Sequence, residues 1–220
     1  MRAKKVPSGR PISPFPFQER TTRKARKLLR AGKKTLVVSP PGSGKTVMIA
    51  MMVRRARRER KRVLLVSHRR EILTQAYNHL QYLGVPEDDI GVIRGEAPSE
   101  LIRPDAPVQI ASIAALLARD ARPRAELVIV DEAHHVLAAG YMRLLARYRR
   151  AQHVGYTATP HRLDGRGLGD FYDEMVIAAQ PSALIAEHLL LAEPVIYKAE
   201  DEFVPDLKSV RIARGDYVIS

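Results

Sequence analysis

This 220-residue chain predicts a doubly wound, mainly parallel α/β sheet, on three observations. Short Val/Ile/Leu runs without polar alternation recur along it, as strands buried on both faces require. Amphipathic stretches of helical period separate these runs in the βαβ manner. A glycine-rich segment and an acidic pair each follow an apolar run, at the strand ends where such sheets carry their functional loops.

In chain order, strands are expected over 35–39, 62–67, 90–94, 108–111, 127–130 and 153–157, with weaker candidates at 175–178 and 195–197. Helices are expected between them, over 18–31, 45–60, 70–83, 113–118, 141–149 and 182–191. Residues 1–14, with basic residues and three prolines, read as a mobile basic arm. Residues 15–197 form one lobe, and 198–220, mixed in charge and poor in apolar runs, read as a connector. There is no internal repeat.

Composition narrows the function classes. At 45% hydrophobic residues the chain has material for an ordinary core, and no run approaches the uninterrupted apolar length of a membrane span. The opening Met1-Arg2-Ala3-Lys4-Lys5 leads into Pro-rich sequence and not into an apolar signal segment. A soluble, cytoplasmic protein without a membrane partner is the expectation. Zero cysteine excludes disulfides and thiolate metal sites.

The net charge of +13 is unevenly placed. Residues 1–62 hold 20 Lys or Arg against Glu19 and Glu59, which leaves the remainder of the chain at −5. Such asymmetry points to a polyanion partner. The densest run, Arg54 to Arg62, falls at the C-terminal end of the second expected helix, where cations also complement the helix dipole. It reads as a solvated or secondary-contact face.

Ser39-Pro40-Pro41-Gly42-Ser43-Gly44-Lys45-Thr46 stands where the first buried strand turns into a helix. Gly42 and Gly44 let backbone N–H groups curl around a polyphosphate, and the helix N-terminus adds partial positive charge. Lys45 then reaches the β and γ phosphates and the Thr46 hydroxyl can hold Mg²⁺. Ser39 replaces the first glycine of the strict P-loop pattern. A glycine-rich turn without ligand would leave unexplained a Lys-Thr pair entering a helix behind a strand.

Asp131-Glu132-Ala133-His134 closes the apolar run 127–130, 85 residues after Thr46. Asp131 is thereby placed on the sheet edge that the P-loop leaves, as a second holder of Mg²⁺. Glu132 can orient and deprotonate an attacking water. Taken alone, the four residues would also suit an acidic strand end with surface histidines. Gly155-Tyr156-Thr157-Ala158-Thr159-Pro160 ends a further strand, and its two hydroxyls can couple to the acidic motif or cap the turn before Pro160.

The three motifs, in this order, resemble superfamily 2 helicases and translocases of the Asp-Glu-Ala-His type, from about Phe15 onward. The resemblance implies a RecA-like first motor lobe that binds ATP and Mg²⁺ and works on nucleic acid, with DNA favoured over RNA. It casts Lys45, Asp131 and Glu132 as catalytic, and His134, Thr157 and Thr159 as coupling residues. In the same alignment of motifs, Phe17 and Gln18 look like the adenine-recognising aromatic and glutamine, beside the phosphate cradle of Pro41, Gly42, Ser43, Gly44, Lys45 and Thr46. Ser67-His68-Arg69-Arg70-Glu71 and Ala111-Ser112-Ile113 resemble the loops that hold one nucleic-acid strand, so Arg69, Ser112 and, more weakly, Arg94 become phosphate contacts. Ser112 suits a helix cap equally well. Thr159 to Leu168 and Gly215-Asp216-Tyr217 are similar to RadD-type repair helicases and phage relatives. The family's second lobe, with its arginine finger, has no counterpart before Ser220, so a partner lobe in cis or in trans is implied. Two alternatives stand beside a helicase lobe: a double-stranded DNA translocase subunit of a restriction or remodelling complex, and a non-catalytic nucleic-acid-binding module.

Overall fold

The computed structural model describes residues 13–67, 70–95, 97, 101–160, 167–186, 211–213 and 216–218. Seven parallel strands form one sheet: β1 (Thr35–Val38), β2 (Val63–Ser67), β3 (Ile90–Ile93), β4 (Val108–Ser112), β5 (Leu127–Asp131), β6 (Gln152–Thr157) and β7 (Glu174–Ile177). Their spatial order is β3-β4-β2-β5-β6-β1-β7. Helices α1 (Pro16–Arg30), α2 (Lys45–Arg58) and α3 (Arg70–Tyr82) intervene early in the chain, and α4 (Ile113–Ala118), α5 (Ala139–Leu145) and α6 (Pro181–Ala186) later.

Side-chain alternation sorts the strands between two cores. Val37, Val63, Leu65, Ile110, Ile129 and Val154 pack with Ala25 and Leu29 of α1, with α2 and with Leu80 of α3. Their neighbours Leu36, Leu64, Val66, Val128 and Val130 point the other way, onto Leu116 of α4 and Leu144 of α5. Helices therefore cover both faces, which is why β2, β4 and most of β5 are buried at successive residues. The expected doubly wound sheet is the observed fold.

α1 shows how sequence becomes packing. Phe17, Gln18, Thr21, Thr22, Ala25 and Leu29 recur at three- and four-residue spacing and form its buried stripe. Pro16 opens the helix, where its missing N–H costs nothing. The Phe15 N–H donates to Gln18 Oε1 at 2.9 Å, which ties the helix start to the glutamine.

Several boundaries differ from expectation. α5 ends at Leu145 and tightens into a 3-10 turn over Ala146–Tyr148. The tighter turn keeps Tyr148 buried, with its hydroxyl donating to Pro123 O at 3.0 Å and its carbonyl accepting from His153 Nε2 at 2.9 Å. β7 is present beside β1, so the weaker strand expectation at 175–178 holds. The stretch expected to be a connector contains an antiparallel pair, β8 (Arg211–Ala213) with β9 (Asp216–Val218). Two residues, one of them Gly215, separate these strands, a hairpin spacing that low apolar content obscured. Residues 1–12, the strand expected at 195–197 and the end of the helix expected over 182–191 lie outside the described residues. No helix among the described residues is long and apolar enough to cross a membrane.

Candidate nucleotide and motor site

Strand order brings the three motifs together. β6 lies between β1 and β5, and all three run the same way, so their C-terminal ends share one sheet edge. Val38 is level with Thr157, and Asp131 with Tyr156. The P-loop is further tied to β6 by the Ser39 N–H, which donates to Thr157 O at 2.9 Å.

Gly42 and Gly44 take the left-handed conformation that glycine adopts without steric cost, at φ 74° and 78°. Gly44 is the N-cap of α2, and no acidic residue in the first turn offsets the positive end of its dipole. Ser39 departs from the strict motif with a visible reason. Its buried hydroxyl bonds to that of Ser43, and Ser43 Oγ donates to Pro40 O at 2.6 Å, so the serine pair braces the loop from within. Gln18 clasps the same loop from α1 through Nε2, which donates to Ser43 O at 2.9 Å. A Cβ on Gly44 would lie 2.4 Å from that nitrogen. Gln18 is only 2% exposed, and both ends of its carboxamide hold backbone, so a contact to adenine would have to share those bonds.

From the loop a polar chain runs across the sheet edge. Lys45 Nζ donates to Glu132 Oε1 at 3.2 Å, and Glu132 Oε2 lies 3.4 Å from His134 Nδ1. His134 Nδ1 is also 3.1 Å from Thr157 Oγ1. Thr157 Oγ1 donates to Thr159 O at 2.9 Å while accepting from the Thr159 N–H at 3.1 Å. The Thr157 hydroxyl thus stands between His134 and Thr159, and which partner donates in the His134 contact depends on the imidazole tautomer. Glu132 holds its carboxylate in this chain from a left-handed backbone at φ 52°, costly for a non-glycine residue.

Asp131 is different in kind. Its Oδ1 accepts from the Glu132 N–H at 3.0 Å, and Oδ2 has no partner among the described residues. Burial first, then the neighbouring Glu132 charge, push its carboxyl above the ordinary range, and Lys45 only partly opposes them. Asp131 and the partly exposed Thr46 hydroxyl are hard oxygen donors, so this donor set fits Mg²⁺.

A raised carboxylate pKa means that the folded chain binds more protons than the unfolded one. Stability is therefore lost as pH rises from the ordinary value through the raised one, and ionised Asp131 destabilises the ligand-free fold at neutral pH. Asp131→Asn is expected to raise the ligand-free Tm by about 2–4 °C, the response of a domain this size to about 1 kcal/mol. It should also remove the Mg²⁺-dependent part of nucleotide affinity. Calorimetric scans and nucleotide titrations with and without Mg²⁺ check both; a lowered Tm would show that Asp131 is a structural anion.

Three tyrosines behind the acidic motif were not legible as site residues. Tyr141, Tyr156 and Tyr172 are buried, and their hydroxyls have no partner among the described residues. Burial and the charges of Asp131 and Glu132 push the Tyr141 phenol far up, so it stays neutral. Tyr172 fills the space that Gly155 leaves: a Cβ there would lie 2.1 Å from Tyr172 Oη and 2.7 Å from Ala133 Cβ. Gly155→Ala should consequently destabilise the fold by about 1–3 kcal/mol, the usual cost of overpacking. Denaturant unfolding measures it, and an unchanged midpoint would mean that Tyr172 rotates away freely.

The other expected residues are more dispersed. Ser112 and Arg94 lie at or just beyond the C-terminal ends of β4 and β3, on the motif edge but two and three strands from β5. Ser112 is 7% exposed, and its Oγ accepts from the Ala115 N–H at 3.1 Å, so it caps α4. Phe17 is buried in the α1 stripe, and Pro41 is exposed on the P-loop. Arg69 lies outside the described residues.

A glycine-rich loop, an acidic pair and a hydroxyl pair on three adjacent parallel strands define a RecA-like P-loop lobe. Residues 11–162 match the family described as Type III restriction enzyme, res subunit, and the chain belongs to that family. It is 32% identical over 183 residues to a 51.5 kDa protein of a Lactococcus phage, covering 83% of this chain and 36% of the relative. It is 28% identical over 195 residues to the putative mitochondrial ATP-dependent helicase irc3 of Schizosaccharomyces pombe, covering 82% of this chain and 32% of that protein. The chain thus spans about a third of the length of these relatives. The UvsW helicase of bacteriophage T4 shares the fold with a TM-score of 0.64 at 14% identity, over 76% of this chain and 60% of that one. Together the family and the fold identify a helicase-like motor domain.

Proposed function

We propose that this chain is the Mg·ATP-binding lobe of an ATP-dependent DNA helicase of the Asp-Glu-Ala-His type, with RadD-like enzymes a functional analogy. The supporting observation is the polar chain from Lys45 through Glu132, His134 and Thr157 to Thr159, which joins the phosphate loop to two other strand ends. In this reading Lys45 and the P-loop N–H groups hold the phosphates, and Thr46 and Asp131 hold Mg²⁺. Bound Mg²⁺ supplies charge neutralisation on the β and γ oxygens. Glu132 orients water and takes its proton, and His134 reports the position of Glu132 to Thr157. Gln18 reads the base edge with the Nε2 proton that its bond to Ser43 O leaves over, and Phe17, packed in the α1 stripe, supports it from beneath. Arg69, Arg94 and Ser112 line a phosphate track along the same edge, toward β3. The second lobe completes the site.

The family description favours one further reading, a translocase that moves along duplex DNA within a restriction complex without separating strands. A retired, non-catalytic module is disfavoured because Lys45, Asp131 and Glu132 are all present and drawn together. DNA-stimulated phosphate release, measured alongside strand separation and triplex displacement on a longer chain that includes the second lobe, tests the proposal. Stimulated release with strand separation supports the helicase, triplex displacement alone supports the translocase, and no stimulated release overturns both. Arg69→Ala should weaken single-strand binding across all sequences and reduce its salt dependence by about one phosphate contact.

A further inference from the structure

The edge of the sheet opposite the motifs carries cations that the motor reading does not use. α2 ends in Arg54, Arg55, Arg57 and Arg58, and α1, packed beside it, ends in Lys27 and Arg30. One carboxylate serves four of the cations gathered there. Glu59 Oε1 accepts from Arg26 Nη2 at 3.2 Å, Arg30 Nη2 at 3.0 Å and Arg55 Nε at 2.9 Å, and Oε2 lies 3.3 Å from Lys61 Nζ. The surrounding cations hold the Glu59 carboxyl down at about 2. Burial, then repulsion from Arg55 and Arg30, draws Arg26 below its ordinary value. At neutral pH the cluster keeps a surplus of three positive charges.

A helix C-terminus explains one or two cations, not this number. Arg54, Arg58 and Arg60 are exposed and have no acidic partner among the described residues, whereas Arg57 is balanced by Asp89 Oδ2 at 2.7 Å. The cluster is also held in place. Lys61 Nζ donates to Gln152 Oε1 at 2.9 Å, and Gln152 Nε2 donates to Leu29 O at 2.8 Å. Arg30 and Arg55 each use one nitrogen on Glu59, which leaves the rest of each guanidinium fork for a ligand. Planar, fixed forks of this kind match phosphate oxygens.

We infer that this edge is a second nucleic-acid contact, at which Arg30, Arg54, Arg55 and Arg58 hold the phosphates of duplex DNA without regard to sequence. The inference rests on the reading of the chain as a nucleic-acid motor. The rise along α2 places Arg54 to Arg58 about 14–20 Å from Lys45, so the contact is separate from the track along the motif edge. A duplex is favoured over an acidic protein segment because it presents one charge per about 1.7 Å of axis, a density suited to so many cations on one edge.

The test uses the full chain. Arg30→Gln combined with Arg55→Gln leaves Glu59 paired with Arg26 and Lys61, so folding is retained. Its slope of log affinity for a labelled duplex against log salt should be shallower than that of the unaltered chain by about 1.8, two phosphate contacts. Affinity for a fluorescent ATP analogue should not change. Because the chain contains no cysteine, Arg54→Cys supplies a unique thiol. That thiol should crosslink to a duplex bearing thiol-reactive phosphates, also in combination with Lys45→Ala. An unchanged slope, or no crosslink, overturns the inference. Polyglutamate binding as tightly as the duplex, with equal weakening of both by the double substitution, overturns it in favour of an acidic protein partner. If the unaltered chain binds no ATP analogue but the slope change and crosslink appear, the motor reading fails and this contact stands.

Discussion

Lys45→Ala is expected to abolish ATP binding, whereas Glu132→Gln should retain binding and lose hydrolysis. Lys45 is the point charge at the head of α2, and its removal leaves the loop N–H groups and Mg²⁺ without a protein cation on the phosphates. Glu132 handles water, so the amide should slow turnover by roughly 10²–10⁴, the usual range for a lost general base. The structure adds a sign to the binding term. In the ligand-free chain Lys45 is occupied by Glu132 at 3.2 Å, with the two side chains 17% and 25% exposed. ATP must displace that partner. An ion pair of this exposure is worth about 0.2–1 kcal/mol, so Glu132→Gln should bind ATP as tightly as the unaltered chain or up to about fivefold more tightly. Titration with a fluorescent ATP analogue and single-turnover phosphate release separate the two variants. Equal loss of binding in both would refute the assigned roles.

Residues 1–220 alone should hydrolyse ATP slowly and fail to unwind a duplex. In motors of this resemblance a second lobe supplies an arginine finger, worth on the order of 10³–10⁵ in rate. Unwinding further requires two bodies that close and open around the nucleotide. The chain spans about a third of its curated relatives, which leaves room in them for such a lobe. Supplying the second lobe, covalently or in trans, should restore nucleic-acid-stimulated turnover. Robust unwinding by a verified monomer of these 220 residues would falsify the two-lobe requirement.

Glu132 shows how site residues divide between sequence and structure. Its place after a buried strand and 86 residues beyond Thr46 marks it from the sequence alone. Its bond to Lys45 has no sequence signal, because it depends on β1 and β5, far apart in the chain, ending on one sheet edge. Gln18 reverses the emphasis. The sequence suggests a base reader, and the fold gives its carboxamide two backbone partners, Phe15 N–H at the start of α1 and Ser43 O on the P-loop. Ser112 likewise has a structural bond, its Oγ accepting from the Ala115 N–H at the α4 cap, while its O–H remains to donate.

By itself the sequence determined the alternation of buried strands and amphipathic helices, the phosphate loop, the acidic pair and the uneven charge, because each depends on local spacing and residue chemistry. Tertiary structure alone decided that β6 sits between β1 and β5, that Tyr172 occupies the hollow at Gly155, and that Glu59 gathers four cations from two helices and the turn beyond. Those features are set by strand order and helix packing, which bring together residues from separate elements, as β1 meets β6 and α1 meets α2. Local periodicity carries no record of such meetings.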